Sequence, residues 1–226
     1  MNAFSTIKNN RGAFSWWTSL MTVMITSLLV LGCGKSGGGS GPEAKAASAL
    51  DALNSASTKE EKLAAIGLLK DVSASASEKA GAKAVELLKD GEMEVQIGAM
   101  DLIAAMKYTD PAAVTAISGL FQSTSELEIK KHVMQTLKGI GANDQLVKIC
   151  KEAMAGGDEE MLGYAAYQLS DVGEAAAAAQ AELIAALDSK EPYGRMYAAI
   201  ALGNIGSKAA EAKTKLEALT ADKDSD

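Results

Sequence analysis

Histidine occurs once in this chain, at His132, and cysteine twice, at Cys33 and Cys150. So few soft ligands leave no material for a zinc site or a disulfide framework. Aromatic residues make up 4% of the 226 positions and proline only three of them. Sandwiches and barrels draw on aromatic and β-branched residues, so an all-β architecture is disfavoured. Cations are also short: 22 Lys and Arg stand against 29 Asp and Glu, a net charge of −7. Nucleic-acid binding rests on neutralising phosphates, and this balance has the wrong sign for it. No metal and no cofactor is expected, and no catalytic residue stands out. What the chain has in abundance is alanine.

The first 32 residues differ in composition from the rest. They contain no Asp or Glu, carry Lys8 and Arg11 near their start, and run uncharged from Gly12 to Gly34. A basic start, an apolar stretch and a small-residue end make the three-part layout of an export signal. The run is also near the ~20 residues that a membrane-spanning helix needs, so a plain anchor is the competing reading. Beyond Cys33 lies Gly34-Lys35-Ser36-Gly37-Gly38-Gly39-Ser40-Gly41-Pro42, a Gly/Ser tether with an r.m.s. reach of roughly 15–18 Å. The segment Val30-Leu31-Gly32-Cys33 resembles the bacterial lipoprotein signal. That resemblance implies cleavage before Cys33, lipid on its sulfur, and a membrane-held envelope protein, in the outer membrane where the cell has two. We therefore divide the chain into a signal (1–32), a tether (33–42) and a repeat domain (43–226). Loss of the signal removes Lys8 and Arg11 and leaves a net charge of −9, with Cys150 as the only thiol.

The repeat is visible as two interleaved series. Leu69/Val72, Ile103/Met106, Leu137/Ile140, Leu169/Val172 and Leu202/Ile205 recur at spacings of 34, 34, 32 and 33. Leu50/Leu53, Val85/Leu88, Ile117/Leu120, Cys150/Ala153, Ile184/Leu187 and Leu216/Leu219 recur at 35, 32, 33, 34 and 32. Within each period the apolar spacing is helical. Asp90-Gly91, Gly156-Gly157-Asp158 and the turn 188–192 break each period into a helix A and a helix B, with Pro192 placed to open a helix. Gly141, Gly173 and Gly206 follow the last apolar residue of a helix, as C′ glycines do. The pattern predicts an all-α, right-handed α-solenoid of about five helix pairs and a C-terminal cap helix, stacked so that neighbours bury one another's apolar stripes.

Residues 183–206, with Leu183-Ile184, Leu187-Asp188, Pro192, Arg195, Ala198-Ala199 and Ala201-Leu202-Gly203-Asn204-Ile205-Gly206, resemble a HEAT repeat, and more closely the bilin-lyase type of HEAT-like repeat. The resemblance covers roughly residues 44–219. It implies the stacked-pair fold, and it carries no catalytic residue onto this chain. Where the family has Arg at the start of helix B, Arg195 has Leu162, Lys130 and Gln96 as its counterparts.

Cys150 holds a repeat position with Val85, Ile117 and Ile184, so it reads as core. His132 has no second histidine and no nucleophile at a telling spacing. Asp158-Glu159-Glu160 lacks the spacing of a calcium loop and suits a helix start. His132, Tyr164 and Tyr197 occupy equivalent positions and form an expected ladder along helix B. Four of the chain's five tyrosines fall between 164 and 197. Tyrosine is enriched at protein interfaces. We accordingly expect a protein-binding surface at Tyr164, Tyr167, Met196, Tyr197 and Ile200, against the alternative that these rings only pack repeat on repeat. The chain reads as a monomeric, non-enzymatic scaffold or adaptor for a protein partner. The alternative is a lyase-like or cofactor-binding accessory protein, by analogy with the repeat family.

Overall fold

A computed structural model describes residues 41–219. The signal, Cys33 and all but the end of the tether lie outside the described residues. Pro42, drawn above as the tether's last residue, is instead the first residue of a helix. Among the described residues there are eleven α-helices and no strands. They are α1 (Pro42–Ser55), α2 (Lys59–Asp71), α3 (Glu78–Leu87), α4 (Met93–Met106), α5 (Pro111–Ser123) and α6 (Leu127–Gly139). The series continues with α7 (Asn143–Ala155), α8 (Glu159–Ser170), α9 (Gln180–Ala186), α10 (Pro192–Ile205) and α11 (Lys213–Leu219). Odd-numbered helices are A and even-numbered are B: five pairs and a final lone helix, an all-α solenoid. No helix among the described residues is long and apolar enough to cross a membrane.

The starts and stops have local causes. Thr58 and Glu61 form a reciprocal capping box at α2. Asp110 and Asp158 accept from the amides of Ala112 and Met161 at 2.7 and 2.8 Å. Pro42, Pro111 and Pro192 occupy the first turns of their helices. Gly141, Gly173 and Gly206 all have positive φ, at 77°, 59° and 71°. The last two do more than stop a helix. Each opens a stretch of 3₁₀ turns, Gly173–Ala179 and Gly206–Ala212, the second kinked at Ala209. Residues three apart eclipse in that geometry. Ala176 and Ala179 therefore share one buried face, and Ala209 and Ala212, on either side of the kink, are buried as well.

The core is one continuous strip running through every repeat. Leu69, Ile103, Leu137, Leu169 and Leu202, the first series read from the sequence, are all fully buried. The B helices contact their successors extensively at α2–α4, α4–α6 and α8–α10, whereas the A helices α3, α5 and α7 touch the next A helix over a short stretch. Contact is most extensive between α8 and α10. There Gly163 and Gly194 face each other: a Cβ on Gly163 would stand 3.6 Å from the Gly194 nitrogen.

The missing arginines are replaced in kind at one place. Arg195 Nη1 donates to the Ser189 and Lys190 carbonyls at 2.9 and 3.2 Å, tying down its own A–B turn. Gln96, its counterpart, donates to the Asp90 carbonyl at 2.8 Å across the same sequence interval. Between repeats, lysines pair with carboxylates about one period away, including Lys70 with Asp101 at 2.8 Å and Lys138 with Asp171 at 2.6 Å.

Candidate binding groove

A groove of about 420 Å³ runs along the B layer between α8 and α10, open to solvent along its length. Its floor is the Gly163–Gly194 approach, and its walls carry Tyr164, Tyr167, Tyr193 and Tyr197. Two i,i+3 or i,i+4 pairs place these rings. Tyr164 and Tyr167 lie one turn apart on α8, and Tyr193 and Tyr197 one turn apart on α10. Tyr167 bridges the helices, with its ring centroid 4.9 Å from Tyr197 in a T-shaped contact and 6.1 Å from Tyr164. Tyr164 and Tyr197 are half-buried, Tyr167 is 39% exposed and Tyr193 69% exposed.

The polar lining is mostly acidic. Glu159, Glu160 and Glu191 contribute carboxylates and Lys131 the single ammonium, so the lining carries a net −2. Glu160 is paired with Lys131, and that hydrogen bond holds the Lys131 ammonium above its ordinary pKa. Glu159 accepts from the Ser189 hydroxyl at 2.5 Å. The Ser189 hydroxyl in turn accepts from the Glu191 amide at 3.2 Å, and the Glu191 carboxylate bonds to no other described residue. The faces of two rings are already used: Lys131 Nζ lies 5.7 Å over Tyr164 and Lys138 Nζ 5.3 Å over Tyr167. Burial raises the Tyr164 phenol above its ordinary range.

Three of the five expected residues, Tyr164, Tyr167 and Tyr197, line the groove. Met196 and Ile200 do not. Met196 is half-buried one position off the Tyr197 face. Ile200 is 43% exposed on the next turn of α10, beyond the groove's end. Tyr193, Glu191 and Lys131 were not named for this surface, and Glu159 was read only as part of an acidic helix start. Tyr193 carried a usable signal, its i,i+4 spacing to Tyr197. The carboxylates carried none, because a helix start attracts acids for its own sake.

The ladder of His132, Tyr164 and Tyr197 is broken at its first rung. His132 turns back on its own helix, with Nδ1 3.0 Å from the Glu128 carbonyl oxygen and 3.5 Å from its carboxylate. Cys150 is fully buried and burial pushes its thiol pKa far up, which suits a packing role. Asp158, Glu159 and Glu160 are an N-cap, a serine acceptor and a lysine partner. No group of three or more potential metal ligands occurs among the described residues.

No family model matches the chain, and no curated protein matches it. Solved structures do match. An engineered protein superposes with a TM-score of 0.56 at 20% identity, over 80% of this chain and 90% of its own. A designed armadillo repeat protein superposes with a TM-score of 0.52 at 18% identity, over 79% and 93%. At these identities the likeness concerns the fold: a helical repeat solenoid.

Proposed function

We propose that this chain is a lipid-anchored scaffold of the bacterial cell envelope that binds a protein partner along its B layer, at the groove between α8 and α10. The observation that carries the reading is Tyr193. A solvent-exposed aromatic side chain on the lip of a groove walled by three further tyrosines contributes little to folding, and aromatic clusters of this kind anchor partners. An open groove also suits a polypeptide edge better than a small molecule, which a site usually encloses on most of its surface. The anchoring half of the proposal rests on Val30-Leu31-Gly32-Cys33 and the tether beyond. A monomeric solenoid held by lipid at Cys33, in the outer membrane of a two-membrane cell, would hold its groove within reach of that surface.

A photo-crosslinking amino acid at position 200, one turn beyond the groove, tests the binding half in the native envelope. The expected result is a discrete protein adduct that Tyr193→Ala abolishes while the thermal midpoint stays within a degree or two. An adduct indifferent to Tyr193→Ala, or formed equally from the exposed face of an A helix, refutes the assignment. Cys33→Ala tests the anchor: it should leave an unprocessed precursor, and a mature wild-type chain retaining residues 1–32 would restore the plain-anchor reading.

A further inference from the structure

The groove's lining spans two equivalent seats one repeat apart, and the earlier one is filled. Between α6 and α8, Lys131 lies over the Tyr164 ring and pairs with Glu160. In the 32- and 33-residue spacing of these repeats, one period on, the place of Lys131 is taken by Gly163, that of Tyr164 by Tyr197, and that of Glu160 by Tyr193. The ring remains and a second ring replaces the carboxylate, but the ammonium is gone. Neither α8 nor α10 contains a lysine that could supply it, and the arginine of α10, Arg195, is buried and donates to the Ser189 and Lys190 carbonyls. A carboxylate is at hand in Glu191, immediately before α10.

We propose that this vacated seat takes a basic side chain, lysine or arginine, presented by an exposed segment of the partner protein. The proposal rests on the adaptor reading and names the chemistry its site selects. A cation entering between Tyr193 and Tyr197 meets aromatic faces, which attract it through their quadrupoles. It also meets a lining of net charge −2. A carboxylate or phosphate meets repulsion from the same groups. The partner's side chain does for the α8–α10 junction what Lys131 does for the α6–α8 junction.

The chain has only five tyrosines, so a full-length sample in detergent with ring-labelled tyrosine gives few enough signals to assign by Tyr→Phe replacement. The probe is an eight-residue peptide of alternating lysine and alanine. We expect saturable shifts confined to the groove tyrosines, led by Tyr193 and Tyr197. Binding should weaken about 10-fold when the peptide lysines are acetylated, and about 5-fold in Glu191→Gln. Gly163→Lys should abolish it by restoring an internal occupant. A Cβ there meets nothing closer than 3.6 Å, and an unchanged thermal midpoint checks that the longer side chain is accommodated. Equal binding of the acetylated peptide, or no shift at millimolar peptide, overturns the proposal. So does lysinamide binding as tightly as the peptide, because the site would then be one for small cations. If the crosslink at position 200 persists and responds to Tyr193→Ala while the lysine peptide fails, the cation seat is wrong and the adaptor reading stands. If the peptide binds as expected and no adduct forms, the seat stands and the adaptor reading falls.

Discussion

The α2–α4 junction and the α8–α10 junction join the same two kinds of helix in the same fold, yet they are built by opposite means. The first is clasped by charge. Lys59 reaches Glu94 at 2.5 Å, Lys62 reaches Asp90 at 2.7 Å and Lys70 reaches Asp101 at 2.8 Å. The second has no lysine on either helix. It is held by the Gly163–Gly194 approach, by Asn204 donating to the Ser170 carbonyl at 2.7 Å, and by tyrosines. Lysines spanning a junction lay their stems across it and close its surface. Glycines draw the backbones together beneath the surface and leave a trough between the rings above. The fold thus permits either a sealed or an open B layer, and this chain opens it near one end of the stack.

The contrast implies that the two junctions share a core and differ above it. Leu69 and Leu169 are equivalent and both fully buried. Leu69→Ala and Leu169→Ala should each cost about 2–5 kcal/mol in thermal or urea unfolding. A near-zero cost at one of them would show that the two halves are not packed alike and would undo the comparison.

The next largest effect should come from the late junction alone. A Cβ on Gly194 would lie 2.6 Å from the Ser189 hydroxyl and 3.0 Å from Leu162. That hydroxyl is committed to Glu159, so it cannot simply swing away. Gly194→Ala should therefore destabilise by about 1–3 kcal/mol despite alanine's better helix propensity. Gly163→Ala, whose Cβ meets only ordinary contacts, should be neutral or mildly stabilising. Equal effects at the two glycines would mean the helices are farther apart than described.

The early junction has its own signature in pH. The Lys62 hydrogen bond holds the Asp90 carboxyl below its ordinary range, against the opposing effect of burial. A depressed folded pKa gives stability that is present above the unfolded value, ~3.9, and is lost as pH falls through the lower folded value. Asp90→Asn should cost about 1–2 kcal/mol near neutral pH, and less with increasing acidity below that window. A cost that stays constant down to strongly acidic pH would show that the pair contributes through shape and not charge.

How much of this was legible beforehand follows the same division. The solenoid was, because a buried stripe repeats with the fold's own period: Leu69, Ile103, Leu137, Leu169 and Leu202 are spaced by the architecture itself. So were the glycine stops and the aromatic concentration near the C-terminal end. The groove's membership was legible only in part. Helical phase places Tyr164, Tyr167 and Tyr197 on the B face, but it cannot say where one helix crosses its neighbour, and that crossing excludes Met196 and Ile200 and admits Tyr193. The 3₁₀ segments were hidden because an alanine run has no strong phase of its own. The lysine ladder was hidden because surface charges satisfy many periods at once.

The smallest effect is expected where the early and late halves solve one backbone problem differently. Helix α4 ends at Lys107, the one non-glycine residue with positive φ among the described residues, at 49°. Its amide donates to the Ala104 carbonyl at 3.1 Å, and the Tyr108 amide donates to the Ile103 carbonyl at 3.0 Å. One repeat later, Gly141 donates to Lys138 at 3.0 Å and Ala142 to Leu137 at 2.9 Å, the same paired closure. The bonds are alike, so the difference lies in the residue. A side chain in the left-handed region crowds the following carbonyl, at a cost of roughly 1–2 kcal/mol, while glycine loses more freedom on folding. The first effect outweighs the second at an obligatory positive φ. Lys107→Gly should stabilise the chain by about 0.5–1 kcal/mol, a rise of roughly one to three degrees in the thermal midpoint. Gly141→Lys should lower it by a comparable amount. If Lys107→Gly instead destabilises, the lysine stem must be covering Tyr108, whose ring packs over Gly81. The early half would then use its lysines to seal the surface even at the helix ends.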